Sequence, residues 1–189
     1  MAKFGKWIGG GLGWALGGPI GAVLGFAIGS AFDSAKIEVE TGSSQYRIPN
    51  AHQTSTGDFG MSLLILSAAV MKADGKVMKS ELDYVRKFFI RQFGQEKTGH
   101  FMHVLKDLLE KPIPLRDVCF QIRDNMPHPM RLQLLHYLFG IARADRQIDA
   151  QEIQTITSIA YYLGINTMDL ESIKAMFSVD TESSYKILE

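Results

Sequence analysis

Cysteine is almost absent from this chain: Cys119 is the single one in 189 residues. An internal disulfide is therefore excluded, and a reducing compartment fits. Cys119 shares helical spacing with Leu115, Val118, Ile122 and Met126, so core packing is its expected role rather than thiol chemistry. An excess of charge is missing too. Twenty basic residues balance twenty acidic ones, and after Asp33 the balance is slightly negative because Lys3 and Lys6 lie before it. Such a chain has no basic footprint, and nucleic acid is not an expected partner. No nucleophile, base and orienting group can be assembled, and no glycine loop ends in Gly-Lys-Ser or Gly-Lys-Thr behind a strand. The chain is not expected to be an enzyme.

Charge is missing altogether between Trp7 and Phe32, and from just before that stretch to near its end glycine recurs with a fixed step. Gly5, Gly9, Gly13, Gly17, Gly21, Gly25 and Gly29 fall every fourth residue. In water each glycine inside a helix costs about 1 kcal/mol relative to alanine. In hydrocarbon the backbone must satisfy its own hydrogen bonds, which makes helix close to obligatory. Small residues four apart then let a second backbone approach closely. The 26 residues would measure about 39 Å as a helix, against a hydrocarbon core of about 30 Å. We read residues 1–32 as a transmembrane anchor with a glycine zipper, dimerising through Gly9, Gly13, Gly17, Gly21, Gly25 and Gly29. A signal peptide has a basic start but a shorter apolar core. A re-entrant or peripheral hairpin is the other rival, because Pro19 removes a helical hydrogen bond.

Residues 33–58 are polar and rich in Gly, Ser, Thr, Pro and Asn, the composition of a linker. From 59 to 177 the pattern is helical throughout, and no stretch has the alternation of a strand. Helices are expected near 58–73, 79–93, 97–110, 114–125, 128–144, 150–163 and 167–177, an all-α bundle of about seven helices. The breaks between them carry Gly, Pro, Asn or Asp.

Two segments of this bundle align at an offset of 71 residues, one from Leu64 and one from Leu135. Ala73 and Asp74 match Ala144 and Asp145, Val77 matches Ile148, Glu81 matches Glu152, and Val85 matches Ile156. Each half reads helix, acidic turn, helix, as expected of an internal two-fold repeat. Clustered carboxylates suit hard cations such as calcium, but neither loop supplies the ligands of an EF-hand. Helix capping explains them more simply: Asp149 and Glu152 have capping-box spacing, and Asp74-Gly75 makes a turn. Met78 stands at the matching cap position of the first half, where the box is not expected. His100 and His103 lie three apart on one helix with nothing spaced to complete a transition-metal site.

The glycine-rich span ending in "GFAIGSAFDSAK" and the paired "KADGKVMKSE" and "RADRQIDAQE" segments together resemble the membrane-anchored co-chaperones of the DjlA type. Their helical domain is similar to TerB, the tellurite-resistance protein. The tail at 178–189, through its closing "DTESSYKILE", resembles the opening of a J domain. The His-Pro-Asp triplet by which a J domain stimulates a DnaK-type chaperone is missing, since His128-Pro129 is followed by Met130. On the resemblance, this chain stops a few residues into a J domain, and a DnaK-type chaperone is a partner only where that domain follows.

The resemblance implies an anchored sensor or interaction region in a bacterial inner membrane, single-pass, with the helical domain in the cytoplasm. It also implies acidic positions that could hold a divalent cation, which here are Asp74, Glu81, Asp145 and Glu152. Arg146 in place of Gly75 weakens that expectation for the second half. The alternative reading is a stand-alone stress-response protein that binds metal through these turns.

Overall fold

The computed structural model describes residues 18–23, 25, 56–145 and 149–185, the side chains of 56–58 and 178–185 excepted. The described residues are helical and form no strand. From Thr56 onward the described residues form seven helices: α1 Thr56–Met71, α2 Lys79–Phe93, α3 Gln95–Leu109, α4 Leu115–Asn125, α5 His128–Ala142, α6 Ala150–Tyr162 and α7 Thr167–Tyr185.

α1 is the centre of the bundle because it is apolar around its whole circumference. Leu63, Leu64, Ile65 and Leu66 are four consecutive residues at 0% exposure, which a helix with one solvent face cannot achieve. Around it lie α3, α4, α5 and α6. α5 is the second such helix, buried at Leu134, Leu135, Leu138 and Ile141.

The internal repeat is visible in the packing. α1 and α5, the first helices of the two halves, pack on one another, and each also meets the second helix of the other half: α1 meets α6, and α5 meets α2. That reciprocity is what a pseudo-twofold axis between the halves produces.

Both repeat helices stop two residues before their expected ends, and for the same reason. Ala73 N–H donates to Val70 O and Ala144 N–H to Ile141 O, each at 2.9 Å, so the last turn tightens to an i→i−3 bond. α3 begins two residues early because Gly94, at φ +83°, serves as the whole connection. Its N–H closes α2 on Ile90 O, and its carbonyl opens α3 by accepting from Thr98. Only glycine adopts that backbone freely. α7 continues beyond 177 to Tyr185, since Ser178 to Tyr185 contains neither Gly nor Pro to stop it.

Part of the glycine-rich run is also described. Residues 18–23 are helical, and Gly18 has φ +61° directly before Pro19. A left-handed residue at Gly18 departs from regular helical geometry at that position. The second turn-forming amide, Ile20 N–H, donates to Gln121 Oε1 on α4 at 2.9 Å, and Val23 is 8% exposed in the core. Gly21 and Gly25 are among the described residues, whereas Gly9, Gly13, Gly17 and Gly29 lie outside them. Among the described residues, no helix is long and apolar enough to cross a membrane.

Candidate functional site

The two acidic turns are built alike. After α1, Asp74 Oδ1 accepts the Lys76 N–H at 2.8 Å, a local turn of the kind Asp favours. α2 then starts at Lys79, and Glu81, three residues beyond Met78, turns back so that Oε2 accepts the Met78 N–H at 2.7 Å. This is the glutamate half of a capping box, and it sits in the half of the repeat where the sequence reading did not expect one. The reason is that the returning glutamate needs only a backbone N–H at the cap, which methionine supplies as well as serine does.

In the second half the roles divide. Asp149 caps α6 through Oδ1, which accepts the Gln151 N–H at 2.6 Å. Glu152 does not close the box expected of it. Its carboxyl turns inward and hydrogen-bonds the carboxyl of Glu81. Glu81 and Glu152 are repeat equivalents, and equivalent residues touch only at the axis that relates them. The pair therefore marks the pseudo-twofold axis, with Glu81 1% and Glu152 5% exposed.

Two facing carboxyls can bond only if one keeps its proton. Glu81 has one oxygen satisfied by Met78, while Oε1 is buried and finds no donor unless Glu152 carries a proton. Glu152 is the donor. Burial first, then its bond to Glu81, then the charges of Glu81, Asp145 and Asp74 push it up to about 8. Glu81 is also raised, chiefly by burial, while the bonds from Glu152 and the Met78 amide oppose the rise. At neutral pH the pair thus shares a single proton across the axis.

All four acidic residues named from the sequence therefore feel one another, but they do so unequally. Glu81 and Glu152 are in contact, whereas Asp74 and Asp145 act on them through charge. Among the described residues, no three His, Cys, Asp or Glu side chains gather in a way that could hold a metal ion. Glu81 and Glu152 as placed hold a proton between them, and Arg146 lies outside the described residues.

The histidines lie elsewhere. His128 Nε2 stands 3.1 Å from Asp169 Oδ2, and the His136 ring packs on Phe177 at 4.8 Å. Cys119 is buried, and its thiol is pushed up to about 12 by that burial, in keeping with a packing role.

One polar group was not singled out from the sequence. Ser67 Oγ lies 2.8 Å from Tyr137 Oη inside the core and bonds Leu63 O at 2.6 Å. Tyr84 stacks beside Tyr137 with ring centres 6.0 Å apart. The only available signal was a serine inside the apolar run of α1. Tyr84 and Tyr137 also line an open cleft of about 800 Å³, together with Phe59, Leu63, Phe88, Leu132, Ile173 and Met176.

Comparison with known proteins places both parts of the chain. Residues 1–46 match the family model for the co-chaperone DjlA transmembrane domain. No match was found among curated proteins or among solved structures. Residues 61–175, more than half of the 189, match the model for tellurite resistance protein TerB, and the chain accordingly belongs to the TerB family, with an N-terminal segment similar to the DjlA transmembrane domain.

Proposed function

We infer that this chain is a non-enzymatic, membrane-tethered recruiting module whose TerB domain senses or binds a partner and, in a longer DjlA-type protein, positions a J domain toward a DnaK-type chaperone. The observation that carries this reading is the pairing in one chain of a transmembrane-domain match at 1–46 with a TerB match at 61–175. The anchor is single-pass, sits in the bacterial inner membrane and leaves the bundle in the cytoplasm.

Intact mass of the protein recovered from the membrane fraction of its source cells tests this reading. A membrane-bound species heavier than 21.0 kDa by one small domain is expected. A species of 21.0 kDa would favour the stand-alone stress-response reading.

Homodimerisation through the glycine stripe is part of the same proposal. Gly17→Leu with Gly21→Leu should abolish crosslinking of the anchor in membranes, because leucine holds the two backbones apart. Crosslinking at the native level would remove the zipper from the argument.

A further inference from the structure

The hairpin of α2 and α3 carries a feature that neither the anchor nor the carboxyl pair uses. Because Gly94 is the whole connection, the two helices lie against each other and leave a groove of about 490 Å³ between their outer faces. Arg86, His103 and Lys106 stand around it, all exposed, and Ile90 and Met102 supply apolar wall. Gly99 opens its middle, since a Cβ built there would meet nothing within 4 Å.

The charge is one-sided. Between Lys79 and Leu109 there are six Lys or Arg side chains and four acidic ones, of which Glu81 is turned into the core. The other three, Asp83, Glu96 and Asp107, do not line the groove. Among the described residues, no carboxylate forms an ion pair with Arg86, His103 or Lys106. In a chain of zero net charge, the unpaired Arg86 and Lys106, with the His103 imidazole beside them, over an exposed isoleucine and a half-buried methionine call for an anionic, partly apolar complement.

We propose that the α2–α3 groove is a docking surface for the headgroups of anionic phospholipids, through which the TerB domain lies down on the membrane that anchors it. The inference rests on the membrane-anchored reading. Basic side chains are drawn to an anionic leaflet within a Debye length of its surface. The anchor match ends at residue 46 and α1 starts at Thr56. The intervening residues, even fully extended, reach only about 30 Å, so the groove works at high effective lipid concentration and can be weak alone. Arg86 and Lys106 contact phosphates, and Ile90 and Met102 meet the glycerol and first methylenes.

The test is amine labelling of the full-length chain reconstituted in vesicles, read by mass spectrometry, with Lys174 on α7 as the internal control. In phosphatidylcholine vesicles containing phosphatidylglycerol, labelling of Lys106 should slow roughly threefold or more relative to pure phosphatidylcholine, and high salt should restore it. Arg86→Gln with His103→Gln leaves Lys106 in place and should abolish the protection, with helical circular dichroism reporting the intact fold. Equal labelling of Lys106 in both lipids, with the chain still floating on each, overturns the docking surface and leaves the anchor standing. Failure to float on either lipid overturns both. Protection that survives the double substitution shows that another surface meets the lipid and overturns the assignment to this groove.

Discussion

Replacing Glu152 with glutamine should flatten the dependence of thermal stability on pH. The native chain holds a proton on Glu152 up to about pH 8, whereas unfolded it would release that proton near 4.5, the ordinary value. A group whose folded value is the higher one contributes its stability in full below the unfolded value and loses it as pH rises through the folded value. Melting temperature should therefore fall between about pH 5 and pH 9 in the native protein. Glu152→Gln offers an uncharged N–H to the Glu81 carboxylate at every pH, so its curve should be clearly flatter across that window, with only the raised Glu81 left to slope it.

Glu152→Ala removes the donor and leaves a buried oxygen without a partner, a loss of about 3 kcal/mol near neutral pH, or about 10 °C for a bundle of this size. A native curve that rises with pH would show that the carboxyls are not sharing a proton. The same series with millimolar calcium separates the cation reading. A rise in melting temperature that Asp74→Ala abolishes would mean that Asp74 and Asp145 swing in to complete a site. No rise at any pH leaves the proton as the ligand of the pair.

The second large effect is expected at Gly140, in the buried middle of α5. A Cβ at this position would stand 2.0 Å from Tyr84 Oη and 2.5 Å from its Cζ, so Tyr84 must leave its place beside Tyr137. Elsewhere in a helix Gly→Ala gains about 1 kcal/mol. Here overpacking should reverse the sign, with a net loss of about 1–3 kcal/mol and a melting temperature lower by roughly 4–12 °C. Thermal melts of Gly140→Ala alone and combined with Tyr84→Leu measure the coupling. If the loss persists without the tyrosine ring, the close approach is not its cause.

How far these features could be read from residues alone depends on which force sets them. The seven bundle helices were legible because apolar spacing and Gly, Pro or Asp breaks are local, and the errors were confined to ends. α1 and α5 stopped two residues short where the final turn tightened, which periodicity does not encode. The repeat was legible because Asp74 and Glu81 recur as Asp145 and Glu152 at one offset. What was not legible was the direction in which each glutamate points. Capping-box spacing assigned Glu152 to its own helix start, yet burial against a partner 71 positions away outweighed that local bond. The Gly140 contact was similarly hidden, since Tyr84 comes from a different helix. The departure from helical geometry at Gly18 was foreshadowed by Pro19, but the pairing of Ile20 with Gln121 joins residues 101 apart and leaves no trace in either neighbourhood.

The position of the glutamate pair on the pseudo-twofold axis bears on descent. In a symmetric dimer of a single helix–turn–helix half, an axial residue necessarily meets its own copy, so one glutamate codon would place an acid against an acid and impose the shared proton from the start. Duplication and fusion of such a half would leave two glutamates facing each other, as Glu81 and Glu152 do. Off the axis no residue meets its counterpart, and there the copies have been free to diverge, with glycine at 75 and arginine at 146.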